Sequence, residues 1–150
     1  MARAHVGKQA LLDRCLAALA DALGRVEGET ELLVVANDGR VPRAPRGVVV
    51  PGAPELGFAG GVAAGLAIAR GEWVALVNDD CLVAPDALVE LLAAGETDGR
   101  VGSVAAQVLF AATGAVNSAG LEVDELGVAR ERALGLPALA GREPLEVFGA

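Results

Sequence analysis

The apolar run Trp73-Val74-Ala75-Leu76-Val77 stops abruptly at Asn78-Asp79-Asp80-Cys81, and Pro85-Asp86 follows a few residues on. A short apolar run closed by polar residues reads as a strand buried on both faces, so residues 72–78 are predicted to be the most strongly buried strand of the chain. Carboxylates at the carboxyl end of such a strand are where a twisted α/β sheet holds ligands and divalent metal. Upstream lies the Gly-rich stretch ELGFAGGVAAGL (55–66), whose small residues let a backbone approach another group closely. Together the two features suggest a nucleotide site.

Composition narrows the classes. With 150 residues, 53% hydrophobic and 3% aromatic, the chain is long enough for one core built from Ala, Val and Leu, and one domain is expected. The net charge is -8, from 12 basic and 20 acidic residues, and the arginines are scattered. Nucleic acid is therefore not an expected partner, and an anionic phosphate ligand needs local help from a metal or from backbone amides. The two cysteines, Cys15 and Cys81, lack Cys-x-x-Cys spacing, and His5 is the single histidine. That excludes a disulfide framework and a Cys/His zinc site and makes the cytoplasm the default compartment. No apolar run approaches the roughly 18 residues of a spanning helix, and the N-terminus shows no signal-peptide core.

Along the chain, Leu11, Leu12, Cys15, Leu16, Leu19, Leu23 and Val26 recur at helical spacing, which predicts an amphipathic helix over 8–26. Strands are expected at 31–36 and 47–50, the second closed by Pro51-Gly52 and Pro54. Residues 60–70 read as a helix ended by Gly71, and 85–94 as a helix with Pro85 at its first position and Gly95 as its cap. A further strand is expected over 101–110, a loose hairpin over 114–127, a loop-like tail from 130, and a short strand over 145–148. The fold class is α/β, a mostly parallel sheet flanked by helices.

The series VVANDG (34–39), GFAGG (57–61), ARGEWVALVNDDCLVAPDALVELL (69–92), VGSVAAQVLF (101–110), NSAG (117–120) and EVFGA (146–150) resembles glycosyltransferase family 2 in order and spacing, with its GT-A, Rossmann-like nucleotide-sugar fold. The nearest likeness is to the bacterial rhamnosyltransferase-like branch. The resemblance implies transfer of a sugar from a nucleotide diphosphate sugar to a glycan or lipid-linked acceptor, with inversion and with Mg²⁺ or Mn²⁺ on the diphosphate. It also implies a role in cell wall or polysaccharide biosynthesis at the cytoplasmic face of the membrane, with peripheral membrane association of the full-length protein. Carried over residue by residue, Asp80 is the metal ligand, Asn78 and Asp79 are donor-binding beside it, and Asn37 and Asp38 read the base and ribose. Gly57, Gly60 and Gly61 line the donor.

Each feature has a plainer reading. An Asp pair at a strand end also caps helices, Asp38-Gly39 also makes a turn, and the Gly-rich stretch also serves close helix packing. Cys15 reads as core, Cys81 as a packed filler and Trp73 as core packing in preference to sugar stacking; His5 receives no role. The sequence also departs from the family's pattern. Asn78 replaces a carboxylate, and Glu55 and Val62-Ala63 stand where the family carries Asn residues around its Gly-rich loop. Each lost polar contact to a charged ligand costs about 1.5–3 kcal/mol, roughly tenfold to more than a hundredfold in affinity.

The resemblance also places a first strand ahead of helix 8–26, and MARAHV (1–6) is too short and too polar to be it. The acceptor-side segment that carries the general base is expected beyond residue 150. The chain alone is thus expected to be a partial, poorly active domain. Should a base lie within it, Asp79, Glu122 and Asp124 are the first residues to examine. Two other classes stay open: a non-catalytic nucleotide-binding remnant, and a Rossmann-type dinucleotide binder, against which Gly57-x-x-Gly60-Gly61 lacks the Gly-x-Gly-x-x-Gly spacing.

Overall fold

The computed structural model describes residues 3–36, 42–45, 47–51 and 57–140, with side chains from residue 8 onward. Its contacts gather into two compact units, Met1–Val89 and Glu90–Ala150.

In the first unit, helix α1 spans Arg3–Leu23, and Leu12, Cys15, Leu19 and Ala22 form its buried stripe. Their three- and four-residue spacing places them on one face, as the apolar pattern requires. The helix ends earlier than the pattern extends because Gly24 is a poor helix former. Beyond it the chain tightens: the Arg25 and Val26 amides donate to the carbonyls of Ala22 and Leu23, three residues back. Strands β1 (Leu33–Ala36) and β2 (Val48–Pro51) pair in parallel, with Leu33 opposite Val48 and Ala36 opposite Pro51. A parallel pair needs a covering layer. Helix α2 (Gly57–Leu66) supplies it, starting on the Gly-rich stretch that sequence placed partly in a loop. Its fit is close, since a methyl group added at Gly65 would lie 3.3 Å from Val35 Cγ2.

The expected buried strand at 72–78 is not formed. Residues 74–78 have no regular secondary structure and join no ladder, and Val74 and Leu76 are 44% and 60% exposed. Among the described residues, the backbone groups of 74–77 make no hydrogen bond. The apolar pattern encodes burial on both faces, but burial requires a neighbouring strand, and the only ladder partner of β1 among the described residues is β2.

Helix α3 runs Ala87–Gly95, begun by a turn at Pro85-Asp86 in which the Ala87 amide donates to the Ala84 carbonyl at 3.0 Å. In the second unit the expected long strand 101–110 pairs only at β3 (Val108–Leu109), antiparallel to β4 (Val116–Ser118). The single expected hairpin over 114–127 is instead parts of two. β3–β4 turns through Gly114 (φ 70°), and β5 (Leu121–Val123) pairs with β6 (Ala129–Glu131) across a turn ending near Gly127. Asp124 builds that second turn, its Oδ1 accepting from the amides of Leu126 and Val128 at 3.0 and 2.9 Å. Val116 is fully buried, and its amide and carbonyl are bonded to Leu136 and Gly135, both at 2.8 Å. The expected strand at 145–148 lies outside the described residues.

Candidate functional site

Three ties along α1 position the first unit's strand ends. The Gln9 side chain and the Arg43 backbone exchange two hydrogen bonds of 3.4 Å, and Arg43 also reaches Asp13 at 3.5 Å. This anchors the chain between β1 and β2 to the first half of the helix. Farther along, the Cys15 thiol donates to the Asn78 carbonyl at 3.4 Å. The chain at Arg43, ahead of β2, and the end of the 74–78 segment are thus held against the same stretch of α1. The last residues of the helix, Ala20, Leu23 and Gly24, line a recess of about 260 Å³ together with Thr30, Glu31 and Leu32. That recess lies at the amino end of β1, the wrong end for a ligand site in an α/β sheet.

The acidic turn follows the 74–78 segment. The Cys81 amide donates to the Asn78 carbonyl at 3.1 Å, closing a tight turn that carries Asp79 and Asp80 at its tip. Asn78, Asp79 and Asp80 are all exposed, and Cys81 is half-buried. Burial pushes the Cys15 thiol pKa up, and the neighbouring Cys81, Asp79 and Asp80 push it the same way. No cluster of three His, Cys, Asp or Glu side chains suited to a metal occurs among the described residues. What the turn offers is two hard carboxylates facing water, plus an amide oxygen. That donor set fits Mg²⁺, which keeps several waters and takes one or two carboxylates together with substrate phosphates.

The Gly-rich residues are placed by α2. Gly57 opens the helix with φ 61°, Gly60 is half-buried and Gly61 is buried within it. Val62 is half-buried and Ala63 exposed on the same helix. Asn37, Asp38 and Glu55 lie outside the described residues. Of the residues considered as an internal base, Asp79 is exposed on the turn, whereas Asp124 is engaged by its own turn and by Arg130 at 3.6 Å. Glu122 is paired with Arg132 at 3.6 Å. Trp73 is half-buried at the start of the open segment. Sequence reasoning missed the contribution of Cys15. Its helical spacing marks a core position, and nothing in the sequence says that its thiol meets the acidic turn.

The profile of Glycosyl transferase family 2 matches residues 7–120, which takes in α1, the Gly-rich helix and the acidic turn. The chain belongs to glycosyl transferase family 2. No curated protein and no solved structure gives a significant match. Membership makes this family 2 chain a glycosyltransferase of the GT-A fold class, with a nucleotide sugar as donor and a separate acceptor. Between glycosyltransferase and dinucleotide binder, membership selects the first. No described helix of this family 2 chain is long and apolar enough to cross a membrane.

Proposed function

We propose that the acidic turn Asn78–Asp80 is the diphosphate end of the donor site, and that Asn37 and Asp38 receive the nucleoside. The observation that supports this reading is a pair of exposed carboxylates on the turn that ends the 74–78 segment, a turn tied to α1 through the Asn78 carbonyl. Adjacent carboxylates repel a diphosphate, so the turn recruits it through a cation. Asp80 is the ligand to Mg²⁺ or Mn²⁺, with Asp79 and Asn78 on the ribose and phosphate side. A cation held there would supply neutralisation of the charge on the departing nucleoside diphosphate.

The reaction is an inverting displacement. An acceptor hydroxyl on a glycan or lipid-linked sugar attacks the anomeric carbon as the bond to the diphosphate breaks. Removing the hydroxyl proton contributes about 10²–10⁴ in rate, and the acceptor-side segment of the family supplies that base. Gly57, Gly60 and Gly61 allow the donor close approach to α2, and the rhamnosyltransferase-like pattern points to a hexosyltransferase of cell wall or polysaccharide assembly at the cytoplasmic face of the membrane.

Calorimetric titration with nucleoside diphosphates and nucleotide sugars, with and without Mn²⁺, tests this. Metal-dependent heat that disappears in Asp80→Ala is expected. Binding that persists unchanged in that variant sinks the assignment.

A further inference from the structure

The chain contains two cysteines, Cys15 and Cys81, both free thiols. They belong to elements far apart in sequence, yet they converge on one atom. The Asn78 carbonyl oxygen accepts from the Cys15 thiol at 3.4 Å and from the Cys81 backbone amide at 3.1 Å. Each cysteine residue is thus in contact with the same oxygen. Their environments differ in a useful way: Cys15 is 2% exposed, whereas Cys81 is half-buried and reachable from solvent. One thiol is accessible to an oxidant and the other waits behind it, the arrangement of an attacked and a resolving cysteine.

We propose that Cys15 and Cys81 form a reversible intramolecular disulfide that locks the acidic turn onto α1. With a hydroperoxide as oxidant, the Cys81 sulfur attacks the peroxide, its S–O bond forms as the O–O bond breaks, and the departing oxygen takes the Cys81 proton and leaves as water or alcohol. The Cys15 sulfur then attacks the Cys81 sulfenic acid. The S–S bond forms, the S–O bond breaks, and the departing oxygen takes the Cys15 proton and leaves as water. In sum, two thiols are oxidised and one peroxide is reduced. The thiol hydrogen that held the Asn78 carbonyl is lost, and a covalent tie replaces it. The turn bearing Asp79 and Asp80 is therefore reshaped on oxidation.

The test uses the full 150-residue chain, treated with hydrogen peroxide. Counting free thiols and mapping peptides without reductant should show both thiols lost together and a Cys15–Cys81 crosslink within one chain, reversed by dithiothreitol. In Cys15→Ser, Cys81 should instead accumulate as a sulfenic acid trapped by dimedone. Hydrogen exchange should slow at the amides of residues 79–82 in the oxidised wild-type chain. Oxidation of Cys81 with Cys15 left free in the wild type, crosslinks only between chains, or unchanged exchange at the turn would each overturn the proposal. These readouts need no donor, so the outcome is independent of whether the nucleotide-sugar reading stands.

Discussion

The carboxylate of Glu31 accepts the backbone amide of Arg70 at 2.6 Å and the Arg70 Nε at 3.4 Å. This pair ties the residue two before β1 to the residue just ahead of the open apolar segment. The approaches to β1 and to the 74–78 segment are thus joined, although no ladder links the two.

The Arg70 amide, first, and its guanidinium hold the Glu31 carboxyl below its ordinary value of 4.5. A lowered folded value means that this contact's stabilisation is fully present above the ordinary carboxylate range. It is lost as pH falls through the folded value. Glu31→Gln should therefore unfold at lower urea than the wild type at pH 7, and the gap should narrow as pH falls below the ordinary carboxylate value and through the folded one. An equal gap across that range would contradict the role of the ionised carboxylate.

Gly65 tests the contact between α2 and β1. Alanine there gains about 1 kcal/mol in helix propensity, but its methyl group meets Val35 Cγ2 at 3.3 Å, so the two effects nearly cancel. Gly65→Leu has no such balance, and overpacking should cost about 1–3 kcal/mol. Denaturant melts of both variants separate the terms. A neutral leucine variant would show that α2 stands off the strands.

Leu76 is exposed on a segment with unpaired backbone groups, a combination that invites strand association. Leu76→Lys should reduce light scattering at high protein concentration while changing stability by less than about 0.5 kcal/mol. A loss of several kcal/mol would mean that the side chain is packed after all.

In the second unit, Val116→Ala removes fully buried volume, and the transfer and cavity terms together should cost about 2–3 kcal/mol. Ala133, at φ 59° in the neighbouring turn, pays for a left-handed backbone, so Ala133→Gly should recover about 1 kcal/mol in thermal melts. Opposite signs from two substitutions that each remove side-chain atoms would separate packing from backbone strain.

Periodicity located α1, β1, β2 and α3 because each carries its own signal: a stripe at Leu12, Cys15 and Leu19, short Val-rich runs between breakers, and Pro85 with Gly95 at the two ends of a helix. Residues 72–78 show where such reading stops. Trp73 to Val77 specify an extended conformation locally, but whether they are buried depends on a strand partner that the run itself does not encode. The division of 114–127 between two hairpins was hidden for a similar reason, since Asp124 and Gly127 signal a turn while the partner strand, Ala129–Glu131, is polar and without alternation. In the site, Asp79 and Asp80 were legible as a charged interruption of an apolar run. Their support was not, because a thiol on a helix face gives no hint of the carbonyl that it meets.

One oxygen atom, that of the Asn78 carbonyl, is shared between a helix and the turn it belongs to. The location of the two carboxylates is therefore set by how α1 seats itself, and this shapes what a survey of random variants would look like. Substitutions at Leu12, Cys15 and Leu19 would score beside those at Asp79 and Asp80, although none of the three is placed to touch a donor. The resulting map of sensitive positions would trace a stripe along a helix before it outlined a ligand.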